Sequence, residues 1–141
     1  MRDASYSMKW ILELCKMHLA YTFGFNKEAK SIGKKLFSQS FSGVTFLSLP
    51  FMFHYSITCY RLFQSSVHKR HLHTARKCRN FLAQQQASGN ITASPYLIIL
   101  KVEEISLKTT NPWELFQACN NAVDRQTAAE GLTHLEALSN E

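Results

Sequence analysis

The chain has 141 residues, 45% hydrophobic and 18% charged, with a formal net charge of +6 at pH 7. One domain of this size buries about 70% of its unfolded surface, so it needs no staple to hold a core. Its four cysteines, Cys15, Cys59, Cys78 and Cys119, lie far apart with no CxxC pair, which supports neither a zinc ribbon nor a disulfide scaffold and fits buried thiols in a reducing compartment.

The first helix is predicted over about residues 7–23. Trp10, Ile11, Leu14, Cys15, His18 and Tyr21 recur at helical spacing. Arg2, Asp3, Lys9, Glu13 and Lys16 interrupt this segment, so it lacks the apolar core of a secretory signal. Gly24 is expected to end the helix, since glycine tolerates the left-handed backbone past a helix C-terminus. Asn26 is expected to cap a second helix with Ala29, Ile32, Gly33, Leu36 and Phe37 on one stripe and Lys27, Lys30 and Lys34 on another. Gly33 costs roughly 1 kcal/mol of helix propensity there, and a close helix approach would explain its presence. The turn between the two helices is so short that they must pack antiparallel.

Ser42-Gly43 is read as a break. The third helix is predicted over about residues 47–64, with Pro50 confined to its first turn. Phe51, Met52, Phe53, Tyr55, Ile57, Cys59, Tyr60, Leu62 and Phe63 surround it with apolar surface, the mark of a central, buried helix. Residues 44–60 carry no Lys, Arg, Asp or Glu. They include Ser48, Pro50, His54, Ser56 and Thr58, and fall short of the ~20 predominantly apolar residues of a membrane span.

The fourth helix is predicted over about residues 67–86. His71, Ala75, Cys78 and Leu82 share one face, and Lys69, Arg70, His73, Arg76 and Lys77 share the opposite one. Residues 84–90 read as a polar loop. The sequon Asn90-Ile91-Thr92 is discounted without a secretory signal.

The fifth helix starts at Ser94 as N-cap with Pro95 next. Tyr96, Leu97, Leu100, Ile105 and Leu107 are its expected core, with Glu103 and Glu104 turned to solvent. Asn111, Pro112 and Glu114 open the sixth, whose buried face is Leu115, Ala118, Cys119, Ala122 and Val123. Gly131 is expected to close it, and Thr133 with Glu136 to form a capping box for a seventh helix cut short at Glu141. No strand pattern occurs.

Charge is uneven along this series. Residues 1–80 hold 13 Lys/Arg against 3 Asp/Glu, and residues 81–141 hold 3 against 7, giving +10 and −4. Such a division suits acidic partners or stacking against neighbouring repeats of opposite charge.

The order of these elements resembles the tetratricopeptide-like helical region of very large signalling proteins, which join a protein-kinase-like domain, a predicted AAA-type ATPase domain, this region, and GAF and histidine-kinase domains. The resemblance rests on Leu19-Ala20-Tyr21-Thr22-Phe23-Gly24 with Lys27-Glu28-Ala29, on Phe53-His54-Tyr55-Ser56, on Tyr96 to Leu107, and most specifically on Gly131, His134, Glu136-Ala137-Leu138 and Asn140-Glu141. It covers about residues 9–141. Ser94-Pro95 and the 84–90 linker depart from the family's pattern. The resemblance implies a non-catalytic coupling region whose parent's ATPase or kinase activity lies in other domains.

Each candidate site has a plainer structural reading. Five basic residues between Lys69 and Arg79 could meet phosphates or an acidic protein surface, and the plainer reading is a solvated helix face. His71 and His73 point about 200° apart on a helix and cannot share an ion, while His71 with Cys78 supplies only two ligands. Thr133-His134-Leu135-Glu136 faintly resembles a phosphoacceptor histidine, but Leu135 stands where an acidic neighbour is usual, so packing or capping at a helix corner is the reading for His134. The five glycines form neither GxGxxG nor GxxxxGK.

The expectation is therefore an all-α chain, residues 1–141 being one tetratricopeptide-like region of about seven helices in antiparallel hairpins, a solenoid segment and a fragment of a larger protein. Its expected function is non-catalytic interaction or coupling within a signal-transduction ATPase or kinase, with no catalytic, cofactor-binding or metal-ligating residue. Lys69, Arg70, His73, Arg76 and Lys77 form the candidate binding face. Expected partners are proteins or neighbouring domains of the same polypeptide, with self-association through the severed last helix. No membrane contact is expected, and the location is cytoplasmic. The alternative is a basic helical adaptor for nucleic acid or acidic protein surfaces.

Overall fold

The computed structural model describes residues 4–39 and 47–139, with side chains described except at 4–7, 126 and 129–139. All regular structure among the described residues is helical. α1 is Ala4–Thr22, α2 Asn26–Ser38, α3 Ser48–Ser66, α4 Lys69–Ala87, α5 Ser94–Ser106 and α6 Pro112–Ser139, with a 3-10 turn at Ile91–Ala93. Contacts divide the chain into two units, Met1–Phe81 and Leu82–Glu141.

In the first unit, α1 lies against α2 and α3, and α2 packs on α3. Gly24 ends α1 as expected, with φ at +80°. Its N–H donates to the Tyr21 carbonyl at 3.0 Å and the Phe25 N–H donates to Ala20 at 2.8 Å. These paired bonds satisfy two carbonyls left open at the helix end. The closure consumes Phe25, so α2 begins directly at Asn26, and Asn26 is not the side-chain cap expected of it.

Ala29, Gly33 and Leu36 are the buried stripe of α2. Gly33 has the close approach that its place in the stripe suggested. A methyl group there would lie 2.5 and 2.8 Å from Tyr55 Cδ2 and Cε2, and 3.1 Å from Met17 Sδ. α3 is buried on nearly every side, from Ser48 and Leu49 to Tyr60 and Leu62. Pro50 occupies its first turn, where no backbone donor is needed.

A column of rings runs through this unit. Trp10 of α1 meets Phe51 edge-on at 5.7 Å, Phe51 stacks on Tyr55 at 5.7 Å, and Tyr55 meets Phe37 of α2 at 5.9 Å. Offset and edge-on pairs contribute about 0.5–1.5 kcal/mol each beyond burial. The Lys77 ammonium closes the column 5.2 Å above the Phe37 ring. Ser56 Oγ donates to the Ala75 carbonyl at 2.8 Å and joins α3 to α4 through a buried bond.

α4 continues through Gln84 to Ala87, where a loop was expected, because Gln and Ala are good helix formers. The actual turn is Ser88–Asn90, with Gly89 at φ +89°.

In the second unit α5 packs on the 3-10 turn and on α6. Ser94 is the first residue of α5, not its cap, and its buried Oγ accepts a bond from Gln86 Nε2 at 3.0 Å. Leu97 and Leu100 are fully buried. Tyr96, Ile105 and Leu107 are half-buried, and so are Glu103 and Glu104, which were expected in solvent. Asn111 does cap α6, its Oδ1 accepting the Trp113 N–H at 3.0 Å. Leu115, Ala118, Cys119 and Ala122 are half-buried, and Val123 is exposed.

The largest departure is at Gly131. The helix continues unbroken from Pro112 to Ser139, so six α-helices, not seven, occur among the described residues. A lone glycine costs a helix only about 1 kcal/mol, and the alanines, leucines and glutamates around it are good helix formers. Thr133 and Glu136 lie inside the helix, where no N-terminus exists to be capped. The break expected at Ser42-Gly43, the side chain of His134, and Asn140-Glu141 lie outside the described residues.

Candidate functional site

The two faces expected on α4 are present. His71, Ala75, Cys78 and Leu82 are buried. Lys69, Arg70, His73, Arg76 and Lys77 are all exposed. The structure thus brings the five candidate residues to one helix face, but not all as uncommitted charges. Lys77 sits over Phe37, a cation–π contact that draws it toward the unit's own surface.

His71 has a different role from the ligand considered for it. Lys30 of α2 donates a hydrogen bond from Nζ to His71 Nδ1 at 2.5 Å. Burial lowers the pKa of His71, and the charges of Lys30, Arg70 and His68 lower it further. Burial likewise lowers that of Lys30. A neutral imidazole accepting from an ammonium satisfies both groups. Cys59 and Cys78 are buried, and burial pushes both thiols up to about 12. At neutral pH they are inert core thiols. Cys15 is exposed and Cys119 half-buried.

A second cluster, not anticipated as a site, lies between α1 and α3. Leu14, Cys15, His18 and Leu19 of α1 with Pro50 and His54 of α3 line an open groove of about 380 Å³. The His18 and His54 rings meet edge-on with centroids 4.4 Å apart and Nδ1 atoms 3.4 Å apart. Tyr21 and Phe53 also flank His54. Burial, then the His18 charge, lowers the His54 pKa to about 4. The 36-residue separation of the two histidines hides this pair from any local motif.

Beside the groove, α1 presents an apolar stripe to solvent. Met8, Leu12 and Leu19 are exposed at i, i+4 and i+11, within about 40° of one another around the helix, and Phe23, in the turn just past its end, is exposed as well. The opposite side carries buried Leu14 and Met17. α1 therefore has two apolar faces, and among the described residues only one of them is covered. α6 has a smaller exposed face in which Trp113 stacks on Phe116 at 5.6 Å, with Val123 on the same side.

Among the described residues no three His, Cys, Asp or Glu side chains converge as a metal site. No helix among them is long and apolar enough to cross a membrane. No protein-family model, curated protein or solved structure matches the chain.

Proposed function

We propose that this chain is a non-catalytic helical interaction and coupling module, built of antiparallel hairpins in the manner of a tetratricopeptide-like solenoid. The observation that carries this reading is the second apolar face of α1. A helix apolar on two sides belongs between two layers, and repeat proteins bury such faces against the next repeat or a partner. Met8, Leu12, Leu19 and Phe23 are the surface that a neighbouring domain of the same polypeptide, or a separate protein, would cover. The resemblance of the sequence supports the further proposal that such a module belongs to a cytoplasmic signal-transduction ATPase or kinase, with the nucleotide chemistry in other domains.

Sedimentation of the chain over a wide concentration range tests the reading. Concentration-dependent self-association that the Leu12→Glu/Leu19→Glu variant abolishes is the expected result. A monodisperse monomer at all concentrations would refute it, because the stripe would then tolerate water.

The basic adaptor remains the second reading, favoured by the exposure of Lys69, Arg70, His73, Arg76 and Lys77 on one face. Phosphate binding falls steeply with salt. Anisotropy with generic duplex DNA or RNA that stays flat even at low salt removes this reading.

A further inference from the structure

We propose that the outer face of α1, with its groove against α3, is a docking site for an acidic amphipathic helix of a partner protein. The inference rests on the interaction-module reading and names the chemistry of the partner. Met8, Leu12, Cys15 and Leu19 are all exposed, at i, i+4, i+7 and i+11. That alternation of fours and threes is the a/d seam of a coiled coil, and it spans only about 60° of the helix. Such a seam is shaped to receive the apolar edge of one more helix.

The two borders of the seam differ. On one side lies the open groove of about 380 Å³, walled mostly by Leu14, Leu19 and Pro50. It offers a recess for a large apolar anchor of the incoming helix, the feature on which helix-in-groove recognition depends. On the other side Lys9 and Lys16 hold the flanking positions, one residue after Met8 and Cys15. Lys35 of α2 joins Lys9 around a smaller recess that also holds Glu13. Glu13 is the one acidic residue of α1, and it pairs with Lys16 at 2.8 Å. That bond, with the charges of Lys16, Lys35 and Lys9, holds its carboxyl below the usual carboxylate range. Three ammonium groups against one carboxylate leave a surplus of two positive charges along this border.

Charge decides the occupant. A second copy would cover the apolar seam but answer none of this surplus. Antiparallel pairing of two α1 helices sets Lys9 opposite Lys16 of the other copy, and parallel pairing sets Lys16 opposite Ile11. A helix with Asp or Glu beside its apolar stripe answers the lysines directly. The groove also favours a helix over an anionic lipid surface, because a recess between two helices is filled by a protruding side chain and bridged by a flat bilayer.

The probe is a synthetic peptide of about three heptads with leucine at a and d and glutamate at e and g, whose own carboxylates keep it from pairing with itself. Anisotropy of the labelled peptide against the full chain is expected to show saturable binding, at least about tenfold tighter than that of its lysine counterpart. Lys9→Ala/Lys16→Ala should weaken it roughly 3- to 20-fold, the range for two exposed ion pairs. Lys27→Ala/Lys34→Ala removes the same charge from exposed positions of α2 and should change it by less than about twofold at physiological salt. The peptide should also slow alkylation of Cys15, the exposed thiol in the seam, and dissolve the self-association of the chain. If Leu12→Glu/Leu19→Glu abolishes self-association but the glutamate peptide binds no better than the lysine one, the acidic partner is refuted and the module reading stands. The proposal is equally overturned if both lysine pairs weaken the peptide alike, or if phosphatidylserine vesicles bind the chain and the peptide does not. Absence of both self-association and peptide binding removes the module reading along with it.

Discussion

Gly33→Ala sets two effects of opposite sign against each other inside one helix. In an exposed helix the change would stabilise by about 1 kcal/mol, through better propensity and a less flexible unfolded chain. Here the new methyl would stand 2.5 Å from Tyr55 Cδ2. Tyr55 cannot easily yield, because it is only 4% exposed and its ring is held between Phe51 and Phe37. Met17 Sδ, fully buried, limits relief on the other side. Overpacking of this kind costs about 1–3 kcal/mol and, against a buried ring that cannot move away, should outweigh the propensity gain, for a net loss of up to about 2 kcal/mol. For a unit of this size each kcal/mol lowers the melting temperature by about 4–8 °C. Thermal melts by circular dichroism of Gly33→Ala, Tyr55→Leu and the double variant measure the coupling. In the Tyr55→Leu background the alanine should become neutral or stabilising. A single variant that melts at or above the parent temperature would refute the packing of α2 on α3 through this glycine.

Other outcomes follow from the same structure. Val67 caps α3 in the left-handed region at φ 55°, a costly conformation for a β-branched residue, and is 71% exposed. Val67→Asn should therefore stabilise by about 1 kcal/mol in urea denaturation, and a loss of stability would contradict the assigned backbone. His54 has a folded pKa near 4 against 6.5 unfolded, so the unfolded chain binds more protons between those values. Its contribution is complete above about pH 6.5 and is lost as pH falls toward 4; with screening of the partly exposed ring, the loss is about 1–2 kcal/mol. Urea midpoints at about pH 7 and about pH 4.5 should differ by more in the parent than in His54→Gln. Asn111→Ala removes the acceptor for the Trp113 N–H and should cost about 1 kcal/mol, seen as faster hydrogen exchange in the first turn of α6.

Periodicity made the buried faces of α2, α3 and α4 legible, because each is decided by side chains three and four residues apart. The exposed basic row from Lys69 to Lys77 was readable for the same reason. Capping was less so. Asn26 and Ser94 have the chemistry of caps, but a turn closure and a 3-10 turn reach those positions first. Gly131 was misread because a break needs more than one poor residue among good ones. The His18–His54 pair and the outward stripe of α1 depend on how distant segments meet, which spacing along one helix does not encode.

Each of the two units carries one tryptophan, Trp10 in the ring column of the first and Trp113 on the open face of the second. The chain is thereby equipped with two intrinsic fluorophores that report on different parts of it. Trp10 loses its ring neighbours when the first unit opens, and its emission should move to the red. Trp113 is already in water and should respond instead to whatever covers that face. With Trp113→Phe and Trp10→Phe, unfolding of one unit and docking on the other become separate optical signals without any added label.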